Sequence, residues 1–262
     1  MALGLARTAF NSRAWAPAGP VNPRREGAAD TLDTITFSGY NSANYSTTRS
    51  AFGAGSLDLE ASNKTISVTG YNTTTTAGGY PTGTGDFCIE GWVWVPAARS
   101  RTATGVPIAL NNTNGLSVRF GNAYNGGSFN WLSIFRRGQA DLDRAPFTWP
   151  SETWCHWAVQ RKNGVISLWA NGQKLARENG PSGTAASYSF AASTSAEIVI
   201  GSYVRNTTDE TMKCWMDEIC VSNSWRYDDT YSTYTIPTAP FTVDEYTNMI
   251  IHFDDSLTTA GS

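Results

Sequence analysis

Twenty-two acidic side chains and two histidines are the groups in this 262-residue chain best suited to moving protons. Hydrolysis of a glycosidic bond needs two carboxyl groups facing one another across a cleft, one to attack or activate water and one to donate a proton. Two such groups on one strand must lie at even spacing, because successive side chains alternate between faces. Asp217 and Glu218 are adjacent, which predicts opposite faces, and Glu90 has no carboxylate partner within its own run Phe87-Cys-Ile-Glu-Gly-Trp-Val-Trp-Val95. The histidines, His156 and His252, each fall in an apolar run, where a hydrogen-bonded structural role is expected. No Gly-x-Ser-x-Gly elbow, phosphate-binding loop or two-histidine metal motif occurs. The expectation is a protein that is not an enzyme.

The four cysteines, Cys88, Cys155, Cys214 and Cys220, lack the paired Cys-x-x-Cys spacing of a zinc site. Cys214 and Cys220 fall on one predicted strand, about 20 Å apart at the usual rise per residue, too far to bridge. Free thiols are expected. Calcium is the one cofactor left open, and Asp209 and Glu210 are its weak candidate ligands, since hard oxygen ligands are common on any surface.

The aromatic residues offer a second kind of chemistry. Ten tryptophans, eleven tyrosines and eleven phenylalanines exceed what a purely polar surface would carry. Sheet packing accounts for most of them, but a sugar ring can stack on an exposed aromatic flanked by Asn, Asp or Arg. Tyr124, Asn130, Trp131, Arg136, Trp149 and Tyr203, on predicted loops and strand edges, are the candidates for glycan binding. The competing expectation places Trp131 and Trp149 in core or interface packing.

These residues must be positioned by short strands. From Thr34 onward, apolar runs alternate with Gly/Asn/Thr turns: Thr34–Ser38, Ser56–Glu60, Lys64–Thr69, Phe87–Val95, Val106–Leu110, Gly115–Phe120, Phe129–Arg136, Trp154–Arg161, Val165–Ala170, Glu197–Gly201, Met212–Ser222 and Asn248–Phe253. No helix-length periodic segment intervenes, so the fold class is all-β, a sandwich or barrel. Asn163-Gly164 and Asn171-Gly172 sit between apolar runs and predict tight hairpins, since both residue types tolerate the positive φ of a type I′ turn. They make Trp154–Arg161, Val165–Ala170 and Gln173–Leu175 a meander. In Phe87–Val95 both alternating faces are largely apolar, which predicts a central strand covered on both sides by a loop, the N-terminal arm or a neighbouring subunit. The low-complexity stretch Thr69–Asp86 reads as an exposed loop.

Residues 1–32 differ, with Ala16-Pro-Ala-Gly-Pro-Val-Asn-Pro-Arg-Arg25 at their centre. Proline prevents regular pairing and favours extended backbone. The segment therefore reads as an extended arm, with Arg7, Arg13, Trp15, Arg24 and Arg25 as anchoring candidates. Its start lacks the apolar core of a secretory signal, so export through one is not expected. No apolar run reaches the roughly 18 residues of a membrane span. A net charge of −3 gives no electrostatic case for nucleic acid.

Taken in order, several phrases resemble the laminin-G-like, or concanavalin-A-like, jelly-roll family. They are Phe87-x-Ile-Glu-Gly-Trp-Val, Trp154-x-His-Trp-Ala-Val, Leu168-Trp-Ala-Asn-Gly-Gln-Lys174, Ile198-x-Ile-Gly201 and Met216-Asp-Glu-Ile219. Phe52-Gly-Ala-Gly-Ser-Leu-Asp-Leu59 is similar to the family's opening strand. The ending, Ser224-Trp-Arg-Tyr227, then Thr235-Ile-Pro-Thr-Ala-Pro-Phe-Thr-Val-Asp244 and Thr247-Asn-Met-Ile-Ile-His-Phe-Asp254, resembles such domains in bacteriophage structural proteins. The resemblance implies an antiparallel two-sheet jelly-roll sandwich over residues 33–255, followed by a tail at 256–262. It implies that Trp154, Trp157, Ile166, Leu168, Ile198, Ile200, Ile219 and Val221 fill the space between the sheets. Asp217 would accept backbone or arginine hydrogen bonds, with a metal ligand as the alternative role, and Arg226 and Tyr227 would tie the following loop to the body. Related pentraxins bond the two strands that carry Cys88 and Cys155, but the positions here are offset from that pattern.

The function this implies is that of a non-enzymatic virion structural protein: a capsid decoration, fibre or tail-associated subunit. Its arm would bind capsid, portal or tail proteins, and the protein would be a homo-oligomer, a trimer by analogy. The alternative is an adhesin for host-surface glycan, which is compatible with the first. A polysaccharide-cleaving enzyme ranks last, because the family's catalytic Glu-x-Asp-x-x-Glu pattern is missing.

Overall fold

The structure, a computed structural model, describes residues 36–38, 45–60, 65–69, 80–97, 104–111, 114–122, 128–136, 139–180, 182–191, 197–202 and 211–254. The arm at 1–32, Tyr124, Tyr203, Asp209 and Glu210 lie outside the described residues. All described secondary structure is β. The strands are β1 (Thr36–Ser38), β2 (Tyr45–Ser46), β3 (Ser56–Asp58), β4 (Ile66–Thr69), β5 (Phe87–Trp94), β6 (Gly105–Leu110), β7 (Leu116–Asn122) and β8 (Ser128–Arg136). They continue as β9 (Asp141–Pro146), β10 (Trp154–Lys162), β11 (Val165–Ala170), β12 (Gln173–Lys174), β13 (Glu178–Asn179), β14 (Ile198–Ile200), β15 (Trp215–Ser222) and β16 (Thr247–Ile251).

These strands form an antiparallel two-sheet jelly-roll sandwich. One sheet runs β1-β4-β14-β6-β7-β8-β9-β13; the other runs β12-β11-β10-β5-β15-β3-β2, with β16 also paired to β15. Between them lies one core built from alternating residues, including Ile89, Val93, Val118, Leu132, Trp157, Val159, Leu168, Ile198, Met216 and Ile219. Burying this apolar surface drives the sheets together at roughly 25 cal/mol per Å².

Most expected strands are present, with ends shifted by one to three residues. Asn163 and Gly164 have φ of 49° and 75°, and Asn171 and Gly172 have 47° and 84°. Each pair thus has the two positive values of a type I′ turn, and β10, β11 and β12 form the expected meander. β5 is the expected central strand, between β10 and β15. Its outward face is covered largely by the chain's own segment 223–246, through Tyr227 and Tyr234 over Cys88 and through Phe241 and Ile236 near Trp92.

Two expectations require correction. Trp154 does not fill the space between the sheets. It lies an odd number of residues from Trp157, so the two rings face opposite ways: Trp157 is in the main core and Trp154 packs outside beside Trp92. Nor do Asp217 and Glu218 point to opposite faces. The pairing of β15 with β5 passes from Asp217↔Trp92 to Cys220↔Glu90, so Glu218 and Ile219 together oppose Gly91. This is a β-bulge, with Glu218 at φ 51°. The extra residue turns both carboxylates outward. Gly91 makes room for it: a Cβ there would stand 3.3 Å from both the Glu218 carbonyl oxygen and the Trp157 ring.

Candidate functional site

The outward face of the sheet containing β5 is laid out in rows set by register. Trp154, Trp94 and Trp215 are direct partners on β10, β5 and β15. The next rows are His156–Trp92–Asp217, Ala158–Glu90–Cys220 and Gln160–Cys88–Ser222. Directly paired residues share a face, so one side of the sheet carries a gradient from tryptophans at one end to a sealed polar network at the other.

At the sealed end, Tyr227 donates its hydroxyl to Glu90 Oε2, whose oxygen lies 3.4 Å from His156 Nε2. His156 Nδ1 pairs with the Tyr234 hydroxyl at 2.6 Å. Gln160 donates to the Ser167 hydroxyl at 3.0 Å and to the Tyr227 carbonyl, and its own oxygen accepts from the Arg226 and Tyr227 backbone N–H groups. Arg226 binds Asp244 and Ser222. Arg226 and Tyr227 thus tie the segment after β15 to the body, as expected. Burial, with Glu90 nearby, pushes the Tyr227 phenol well above its ordinary range.

The two bulge carboxylates are equally engaged. Asp217 Oδ2 accepts from Ala51 N at 2.8 Å and Phe52 N at 3.3 Å, and Oδ1 from Glu218 N at 2.9 Å. Glu218 Oε2 accepts from Phe241 N at 2.7 Å, and Oε1 pairs with His252 Nδ1 at 2.7 Å. Burial raises both carboxyl groups; Glu218 raises Asp217 further, and His252 opposes the shift of Glu218. Both side chains are wholly buried and spent on holding loops, so neither has access to a substrate.

The tryptophan end is different. Trp94 and Trp154 are half-buried and meet edge to face, with ring centroids 6.0 Å apart. The Arg49 guanidinium lies 5.2 Å from the Trp94 ring centroid and 4.3 Å from that of Trp215, within cation–π range. The buried indole N–H groups of Trp94 and Trp215 have no hydrogen-bond acceptor among the described residues. Both nitrogens are sealed from solvent, so the exposed parts of the rings, not these N–H groups, are what a ligand would meet. Asp58 is the next residue in the row, paired with Trp215. The partly uncovered rings of Trp94 and Trp154, with a cation beside them, form a surface suited to the apolar face of a sugar.

Of the residues expected from sequence to bind glycan, the four that are described, Asn130, Trp131, Arg136 and Trp149, do not share one open surface. Trp149 is 1% exposed and stacks on Phe120 with centroids 4.0 Å apart, so it is a core residue with no face to offer. Trp131 is half-buried beneath the Arg144 guanidinium at 5.0 Å, and Asn130 beside it is exposed. Arg136 lies at the other end of β8, about 16 Å along the strand, where it binds Asn114 Oδ1 at 3.0 Å and the Tyr188 hydroxyl at 2.6 Å. Sequence reasoning missed the ladder because it treated these tryptophans as packing. The signal was present in Trp92-Val-Trp94, whose spacing puts both rings on one face, but which of the expected strands would flank them, and in what register, was not legible.

All four cysteines are free and buried. Burial pushes the Cys155 thiol up to about 12 and that of Cys88 well above its ordinary value, which makes both inert as nucleophiles. Among the described residues no group of three His, Cys, Asp or Glu side chains is placed to hold a metal ion.

The structure is similar to the enzymatically active domain of tailspike protein 2 from bacteriophage CBA120, with a TM-score of 0.55 and 12% identity over 90% of this chain and 34% of that chain. It is similar also to full-length tailspike protein 2 of an Escherichia coli O157:H7 bacteriophage, with a TM-score of 0.55 and 14% identity over 87% of this chain and 31% of that one. This chain therefore spans about a third of the length of those tailspikes. At such identity the likeness is one of fold. No protein-family model and no curated protein sequence matches the chain.

Proposed function

We propose that the chain is a non-enzymatic, glycan-binding jelly-roll module of a bacteriophage particle. In this reading residues 1–32 attach it to other virion proteins, and the sandwich displays a sugar-binding face. The observation that carries the binding role is the ladder Trp154–Trp94–Trp215, three aromatic partners in register with Arg49 above two of them. The non-enzymatic part is supported by Glu90, Asp217 and Glu218, which are buried and committed to internal hydrogen bonds. The particle context is supported by the viral-type ending, Thr235 to Asp254.

Binding of the purified chain to bacterial surface polysaccharides, with and without calcium, tests this reading. Retention is expected, and Trp94→Ala or Trp154→Ala should weaken it about ten-fold or more, equivalent to roughly 1.4 kcal/mol. No reducing ends should be released during incubation. Failure to retain any polysaccharide, or release of oligosaccharide by the wild type, would overturn the proposal.

A further inference from the structure

We infer that Arg49 makes the tryptophan ladder selective for acidic glycans, its guanidinium taking the carboxylate of a uronic-type sugar that packs on Trp94 and Trp154. The inference rests on the glycan-binding reading above and adds the class of sugar.

Arg49 stands apart from every other described arginine. Arg119 pairs with Asp141, Arg144 with Glu178, Arg177 with Asp143 and Arg226 with Asp244. Arg136 binds Asn114 and Tyr188, and Arg161 binds four backbone carbonyls. The Arg49 guanidinium has no oxygen acceptor among the described residues and touches two indole rings instead. A guanidinium carries five N–H donors in a planar fork that matches a carboxylate, and it can stack on an aromatic face while offering that fork sideways.

The backbone at Arg49 is also held in place before any ligand arrives. Its carbonyl accepts the Ser56 hydroxyl at 2.6 Å. Two and three residues on, Ala51 and Phe52 are pinned to Asp217 by their N–H groups. A cation fixed over the platform loses less freedom on binding than one on a free side chain. The carboxylates at this end of the sheet are engaged elsewhere: Asp58 accepts the Glu60 N–H at 2.8 Å, and Glu152 accepts the Ala97 N–H at 2.6 Å. Neither forms an ion pair with Arg49.

The test compares oligomers of galacturonate, glucuronate-containing hyaluronate and alginate with their carboxyl-reduced counterparts of equal length, by calorimetric titration of the full chain. The wild type should prefer at least one acidic oligomer by about ten-fold at about 50 mM salt, with the preference shrinking at about 0.5 M. Arg49→Gln should abolish the preference, bringing the affinity for the acidic oligomer down to or below that for its reduced counterpart, and its unfolding temperature should match the wild type. Trp94→Ala should lose both ligands. Equal wild-type affinity for acidic and reduced oligomers would overturn the role of Arg49 and leave the ladder standing as a neutral-sugar site. Binding of none of these oligomers would overturn both.

Discussion

Asp217 and Glu218 show how one residue's backbone decides what its neighbour can do. Adjacent carboxylates on a regular strand face apart; the left-handed conformation at Glu218 turns both toward the same loops. Their burial has a pH signature. Each is raised above its ordinary value in the folded chain, so the folded state holds these protons more tightly than the unfolded one. Their contribution to stability is therefore full below the ordinary carboxylate range, near pH 4, and is lost as pH rises through the raised folded values. Denaturant unfolding should show stability falling from pH 5 toward pH 8, with a slope of at most about 1.4 kcal/mol per pH unit for each group. Asp217→Asn keeps an oxygen for the Ala51 and Phe52 N–H groups and should flatten that slope. A wild-type stability that is level or rises across this interval would contradict the assignment. Asp244 acts in a separate window: burial opposes its ionisation, but Arg226 holds it down to about 2, so its share is lost only in strong acid.

Elements were legible in the sequence wherever a local pattern set them. The β10–β11 hairpin was fixed by Asn163-Gly164, and β5 by its largely apolar run Phe87–Val95. β9 was missed because Asp141-Leu-Asp-Arg-Ala-Pro146 looks like a polar loop; it is a strand because β8 pairs with it, and its acids are bound by Arg119, Arg177 and Thr184. The ladder was illegible for the same reason. Trp94 meets Trp154 and Trp215 through pairings between segments distant in sequence, which no local spacing encodes. Arg161 illustrates a long-range tie of this kind. Wholly buried at the inward end of β10, it donates to the carbonyls of Gly83, Gly85, Ala185 and Tyr188 and lies over Phe87 and Phe190. One side chain thus fastens two loops to the core. Arg161→Met fills similar space but leaves those carbonyls without a donor, which should cost roughly 3 kcal/mol or more. A chemical denaturation midpoint within error of the wild type would show that water or backbone rearrangement satisfies them instead.

At the scale of the whole molecule, the described fold and the segment proposed to attach it separate along the chain. Every described strand lies between Thr36 and Ile251, and the main core draws on residues from Leu57 to Phe253. The proline-rich composition of residues 1–32 suits an extended segment that binds another surface rather than one that completes a sheet. The described part of the face with the ladder, by contrast, is built from β5, β10, β15 and the loop carrying Arg49, so the proposed sugar binding should survive without the arm. A chain lacking residues 1–32 is therefore expected to unfold within a few degrees of the full chain and to bind the same polysaccharide with unchanged affinity. Supplied in place of the full chain during particle assembly, it should be absent from purified virions. Three measurements on one variant then separate the roles: thermal unfolding reads the sandwich, titration reads the ladder, and particle composition reads the arm. Normal incorporation would move the attachment surface onto the jelly roll itself, whereas loss of sugar binding with the fold intact would make the arm part of the site.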